Sequence, residues 1–396
     1  MGAVKLIAML SILGIAMTSR HFLKCAAACA GTLTLVSCGG GGGTGGGGSG
    51  GGGSGGGSLP PPYVYVMNVG PSTISAYSMN SSTGVLRPVG GSPFDAPTGS
   101  YSIAIDQNAH VLYATDTLVN SLSPLNIRTA GGALADASGQ YFVGGGPLSV
   151  AVDPQGRFVY TANEGSDNIS GFKIGADGSL AEVAGSPFPT GRLPNFVVID
   201  AAGAHLYSAN SGDNTVSAFY IDAASGALST IAGSPIAVSG QGPAKLAIHP
   251  GGHFMYVGHR STADLDVLSV DPSTGELAVV GSTVAGGAIN AIGIVPNGQY
   301  LYVTTGFAIE GFAIDDATGM LQPIANGTFA GDARPQALAI DPSGKFAFAP
   351  DNLSNAVIAL SISASDGALA PVPGSPFLLD PSYALGLGPT SIAVAQ

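Results

Sequence analysis

A Gly-x-Leu step recurs seven times along this 396-residue chain, at Gly84, Gly132, Gly178, Gly226, Gly275, Gly319 and Gly367, with spacings of 48, 46, 48, 49, 44 and 48 residues. A period of roughly 40–50 residues made of short β-type runs is the signature of a radial propeller with one blade per repeat. The clearest copy starts at Pro147. Its β-type runs are separated by Asp153-Pro-Gln-Gly156, by a polar cluster around Asn163–Asn168, and by Gly178-Ser-Leu180. Each separator has tight-turn chemistry, because Pro presets φ and Gly accepts φ > 0. The expected fold is all-β: a seven-bladed β-propeller with four antiparallel strands per blade.

The two ends of the repeat region are complementary fragments. The Asp-Pro-x-Gly-type turn occurs six times, and the seventh inner strand, Pro389-Thr-Ser-Ile-Ala-Val-Ala395, stops before its turn. The region opens at Tyr63-Val-Tyr-Val66, which matches the second strand of a blade. The last strand is therefore expected to complete the first blade and close the ring, removing an open sheet edge. Stacked repeats form one continuous body, so residues 63–396 are read as one domain, and a monomer is expected.

Residues 1–37 read as an export leader. The basic stretch Thr18–Lys24 precedes a short apolar run from Cys25 to Val36 and then Ser37-Cys38. The run is too short to span a bilayer. Leu35-Val36-Ser37-Cys38 resembles the lipobox of bacterial lipoproteins, which implies cleavage before Cys38 and lipidation of its thiol. A second apolar run, Ala3 to Ala16, makes Met17 the expected true start. Residues 39–58 contain only Gly, Ser and one Thr, followed by Pro60-Pro61-Pro62. That composition makes residues 38–62 a flexible tether with an r.m.s. span of roughly 25 Å. The expected location is the bacterial cell envelope, held to the membrane through Cys38. Gly39 after that cysteine favours the outer membrane over the inner.

Charge narrows the partners. Lys5, Arg20 and Lys24 lie in the leader, so the body keeps nine bases against 24 acids, a formal −15. Such a surface repels phosphate backbones, and no nucleic-acid binding is expected. All three cysteines, Cys25, Cys29 and Cys38, precede the repeats, so the body has neither a disulfide framework nor a thiol nucleophile. His249 and His253 flank a turn on the opposite rim from His259, and no ligand-spaced cluster occurs elsewhere, so neither metal nor cofactor is predicted.

Tyr65-Val-Met-Asn68, Tyr160-Thr-Ala-Asn163 and Tyr207-Ser-Ala-Asn210 resemble the repeats of YVTN-type propellers. The Asp-Pro-x-Gly turns, the units Asp222–Leu228 and Asp271–Leu277, and Gly-Ser-Pro-Phe at 91–94, 185–188 and 374–377 resemble the seven-bladed lactonase family. That family includes 6-phosphogluconolactonase-like and carboxymuconate-lactonising members. The resemblance implies a His after the Pro that opens an inner strand, clustered with Arg and Glu. The corresponding pairs here are Pro147-Leu148, Pro194-Asn195, Pro243-Ala244, Pro335-Gln336 and Pro389-Thr390.

Candidate site residues are therefore sought where the copies differ. The second strands end at Asn68, Asp116, Asn163, Asn210, His259, Thr305 and Asp351. The Asn and Asp side chains are expected to cap their own turns. His259-Arg260, followed by Asp264 and Asp266, is the densest polar departure. There His259 is a candidate base, and Arg260 can hold a carboxylate or lactone oxygen. Arg192 and Arg334, each just ahead of an inner strand, are candidate cations for an acidic ligand. Asn195, Asn290 and Gln336 could add neutral hydrogen bonds. The leading expectation is a binding module that takes a protein or glycan at its rim. The alternatives are a lactone hydrolase with His259 as base, acting on a small lactone, and a structural envelope spacer.

Overall fold

In a computed structural model, the structure describes residues 62–136, 139–330, 333–379 and 388–395. The leader, Cys38 and the tether lie outside the described residues. Seven antiparallel sheets follow one another along the chain, each in the order inner, second, third and outer strand. Blade 1 takes its second and third strands from Tyr63–Asn68 and Thr73–Met79, and its inner strand from Pro389–Ala395. The inner strands of blades 2 to 7 are Ser100–Asp106, Pro147–Val152, Pro194–Ile199, Pro243–Ile248, Ala291–Ile294 and Ala339–Ile340.

The two ends meet as expected. Pro389–Ala395 pairs antiparallel with Tyr63–Asn68, with Tyr63 opposite Ala395 and Val66 opposite Ile392. The blade so formed uses the last strand of the chain to cover the edge of the first.

The Gly-x-Leu steps are joints between blades. In blades 1 to 6 the second strand carries a buried Tyr whose hydroxyl donates to the Gly carbonyl of the next blade's step: Tyr65 to Gly132 (2.8 Å), Tyr113 to Gly178 (3.3 Å), Tyr160 to Gly226 (2.7 Å), Tyr207 to Gly275 (3.2 Å), Tyr256 to Gly319 (3.0 Å) and Tyr302 to Gly367 (2.6 Å). Burial raises the pKa of these phenols, which keeps each one a donor. The glycine itself is required. Gly226 has φ +77°, and a Cβ there would sit 2.5 Å from the Phe158 ring of the preceding blade.

Apolar packing follows the same joints. Seven buried clusters fill the seven gaps between neighbouring blades, for example Phe158, Tyr160 and Ile169 of blade 3 against Val197, Leu206 and Phe219 of blade 4. Period-2 alternation sends successive side chains of a strand to opposite faces of its sheet and hence to opposite neighbours. Val64 and Val66 accordingly face blade 7, whereas Tyr63, Tyr65 and Met67 face blade 2.

The outer strand is continuous in blades 5 (Leu277–Val284) and 6 (Leu321–Ala330) and broken in the other five. In four of those five the break carries Gly-Ser-Pro, and the Ser hydroxyl accepts the third-strand N–H left open there: Ser92 from Ala76, Ser186 from Gly171, Ser234 from Ala218 and Ser375 from Ala359, at 2.8–3.1 Å. The motif thus replaces one rung of the ladder with a side chain.

Removal of residues 389–396 should abolish the cooperative thermal transition, because it strips the ladder from Tyr63–Asn68 and opens the ring. An unchanged midpoint in a circular-dichroism melt of the truncated protein would refute closure by this strand.

Candidate functional site

The second-strand ends and the links into the inner strands lie at one end of the ring, where hydrogen bonds join them: Arg260 N–H to Gly242 carbonyl (2.9 Å), Gly212 N–H to Arg192 carbonyl (3.0 Å) and Asn352 N–H to Arg334 carbonyl (3.2 Å). The Asp-Pro-x-Gly turns lie at the other end. Pairing register makes the innermost strands directly comparable. Two residues after Pro389, Ser100, Pro147, Pro194, Pro243, Ile289 and Pro335 they carry Ser391, Ser102, Ser149, Phe196, Lys245, Ala291 and Ala337 in blades 1 to 7.

These seven residues line a chamber of about 170 Å³ on the central axis, together with Tyr101, Thr390 and apolar neighbours such as Ile103, Leu246 and Ile392. Lys245 is the one basic or acidic side chain among its lining residues. Its Nζ lies 4.7 Å from the Phe196 ring centroid. Among the described residues it has no ion-pair partner within 4 Å. Burial, reinforced by the Arg260 charge, brings the Lys245 amine down to about 7.

Above the chamber, the residues that follow the second strands are Val69, Thr117, Glu164, Ser211, Arg260, Gly306 and Asn352. Glu164 and Arg260 thus occupy equivalent positions in blades 3 and 5. Burial raises the pKa of the partly buried Glu164 carboxyl, and the Arg260 charge partly opposes that rise. Arg260 therefore acts electrostatically on both Glu164 and Lys245, and the mouth holds an acid and two cations whose fields overlap.

The structure separates the remaining candidates. His259 is fully buried, with Nε2 3.1 Å from Asp266 Oδ2, and its ring is covered by Gly240, where a Cβ would lie 2.5 Å away. Asp266 also accepts from Ser239 N–H (2.7 Å) and hydroxyl (2.9 Å). Burial pushes that carboxyl up, but the bonds from His259 and Ser239 outweigh it and hold the pKa below the usual carboxylate value. This closed pair ties the second and third strands of blade 5 to the incoming loop, and His259 does not line the chamber.

Arg192 is exposed, and its backbone N–H is held by Asp213 at 2.7 Å. The Arg334 guanidinium stacks 5.3 Å from the Phe307 ring, and the residue's backbone N–H donates to Asp351 Oδ1 at 2.6 Å. Asn290 spans blades 6 and 7 through the carbonyls of Thr305 and Pro335, both at 3.3 Å. Gln336 reaches only the Arg334 carbonyl with its side chain, at 3.4 Å. Asn195 is 8% exposed, and its Oδ1 has no partner among the described residues. None of these three lines the chamber, although the residue after each does.

Turn capping holds for Asp116 and Asp351, whose carboxylates accept the backbone N–H groups two and three residues on. It fails for Asn68, Asn163 and Asn210. Their amides donate instead to third-strand hydroxyls at Ser75 (2.9 Å), Ser170 (2.9 Å) and Ser217 (2.8 Å). An amide has donors to place and a carboxylate has none, so the two side chains choose different partners. Glu164 and Lys245 were not singled out from sequence. For Lys245 a signal was present: a lysine at an inner-strand position where the other six copies carry Ser, Ala or Phe. Among the described residues, no three His, Cys, Asp or Glu side chains gather as metal ligands would.

Lys245→Met should flatten the pH dependence of stability. With a folded-state value near 7 against 10.5 unfolded, the unfolded chain binds more protons between those limits, so wild-type stability climbs with pH across that window. Each pKa unit corresponds to about 1.4 kcal/mol. Urea denaturation at pH 7 and 9 should show a rise of about 1–3 kcal/mol in wild type that is absent from the variant.

Comparison with known proteins places this geometry. The family described as "Lactonase, 7-bladed beta-propeller" matches residues 61–193, 194–292 and 288–378. A 6-phosphogluconolactonase of Pectobacterium carotovorum is 27% identical over 166 residues, 40% of this chain and 47% of that protein. The chain thus spans about half the length of the curated relatives it matches. A putative 6-phosphogluconolactonase from Bacteroides uniformis superposes with a TM-score of 0.74 at 20% identity, covering 85% of this chain and all of that one. The periplasmic gluconolactonase PpgL of Pseudomonas aeruginosa gives 0.70 at 18% identity, covering 85% and 99%. These two likenesses establish the fold, whereas the matched family covers most of the ring: the chain belongs to the seven-bladed β-propeller lactonase family.

Proposed function

We propose that the protein hydrolyses a small lactone at the mouth of its central channel, with Glu164 and Arg260 as the working pair. The observation that carries this reading is their equivalent placement above the chamber, an acid and a cation coupled through space, in a chain of the lactonase family. Glu164 as carboxylate takes a proton from water as the oxygen adds to the lactone carbonyl. Arg260 stabilises the negative charge that develops on the carbonyl oxygen. When the ring C–O bond breaks, the departing alkoxide recovers the proton from Glu164, leaving a hydroxy acid. A phosphorylated sugar lactone is the less favoured substrate for a body of charge −15.

The relatives' names favour lactone chemistry over a rim that only binds a protein or glycan. A pH-stat panel that includes δ-gluconolactone distinguishes the two. Glu164→Gln and Arg260→Ala should each lower kcat/KM about 100-fold with an unchanged melting temperature. Activity should rise with pH through a midpoint above the usual carboxylate range, following the direction of the Glu164 shift. His259→Ala, assayed at a temperature where it stays folded, should keep its turnover; a collapse would make His259 the base. An inactive wild type across the panel would return the chain to the binding reading.

We further read Cys38 as a lipid anchor in the bacterial envelope. The described chain enters the ring at Tyr63, which pairs with Ala395 at the end opposite the mouth. Metabolic labelling with a fatty acid should mark the wild type, and Cys38→Ala should lose the label and appear in the soluble fraction.

A further inference from the structure

We infer that the axial chamber below the mouth is a subsite for one small carboxylate, held by Lys245 and the serine hydroxyls across from it. The choice of a carboxylate rests on the lactone reading, whose product is a hydroxy acid. The anion site itself rests on the chamber alone.

The walls supply donors and no negative charge. Lys245 is the one cation lining the chamber, with no ion-pair partner among the described residues. Ser149 and Ser391 each accept a backbone N–H from the next blade, from Val197 and Ile103, both at 3.3 Å. Their own hydroxyl protons, and that of Ser102, donate to nothing among the described residues. A hydroxyl that already accepts still has a proton to give. A half-buried ammonium and three free O–H donors around a space of about 170 Å³ are chemically matched to an anion and mismatched to a cation. Phe196 on one side and Leu246 and Ile292 below keep the local dielectric low, which strengthens a charge pair formed there.

Occupation should be linked to proton uptake. The groups facing Lys245 from its surroundings are Arg260 above it, Glu164 beyond Arg260, Tyr101 in the chamber wall, and the closed His259–Asp266 pair at the end of the adjoining second strand. None of them places a carboxylate against the amine. With the Lys245 value near 7, the amine is largely neutral at pH 8.5, and a bound carboxylate recharges it by drawing one proton from solvent.

The test is isothermal titration of the full chain with D-gluconate, and separately with acetate, at pH 8.5 in two buffers of different ionisation enthalpy. Glucose serves as the neutral control. Gluconate should bind with uptake of close to one proton, and glucose with none. Lys245→Met should weaken gluconate at least tenfold and abolish the uptake, while its melting temperature shows that it is folded. Equal affinity in Lys245→Met, binding without uptake, or no gluconate binding would each overturn the subsite. Lactone turnover on the same preparation separates the two readings. Turnover without uptake removes only the subsite, and uptake without turnover removes only the hydrolase.

Discussion

The joint between blades is a phenol hydroxyl resting on a glycine carbonyl, and most of the architecture depends on it. A net hydrogen bond of this kind contributes about 0.5–1.5 kcal/mol, and leaving the buried carbonyl unmet would cost more. Six such joints lie one per blade boundary, each beside an apolar slab that spans the same gap. At the seventh boundary Phe348 stands where the other blades carry Tyr. There the Tyr77 hydroxyl of blade 1 crosses instead to the Leu378 carbonyl of blade 7, at 2.9 Å. The ring is thus held chiefly at its joints, with Ser149 and Ser391 adding single bonds between inner strands near the axis.

That arrangement explains how much could be read from the chain. The Gly-x-Leu period was legible because the joint admits little else: the glycine adopts positive φ and has an aromatic or aliphatic side chain pressed against it in every blade. Ring closure was legible because the fragments at Tyr63 and Pro389 complete each other. Gly-Ser-Pro was visible as a motif, but its purpose was not, since the N–H that its serine satisfies lies 15 or 16 residues upstream on a neighbouring strand.

The site was harder to read, and the reason is compensation. His259 departs from the Asn found at equivalent ends, yet Asp266 departs from Ser seven residues later, and the two changes meet through His259 Nε2, while the buried Nδ1 has no partner among the described residues. Thr305 and Glu310 form a second matched pair, at 3.3 Å. A departure that is answered within its own blade is a structural variant, whereas Lys245 and Glu164 have no such answer. Whether a departure is answered is a property of three-dimensional neighbours, which spacing along the chain does not report.

The ring of equivalent inner-strand positions has a wider consequence. Ser, Ser, Ser, Phe, Lys, Ala, Ala is a seven-letter word written at one depth of the channel, one letter per blade. Because the tyrosine–glycine joints lie elsewhere, letters that make no bond between blades, such as Ala291 and Ala337, can be exchanged for others of similar size without loosening the frame, whereas Ser149 and Ser391 each also hold an N–H of the next blade. A propeller of this type can therefore acquire a new ligand preference one blade at a time, each change reaching the shared axial space while leaving the six other contributions in place.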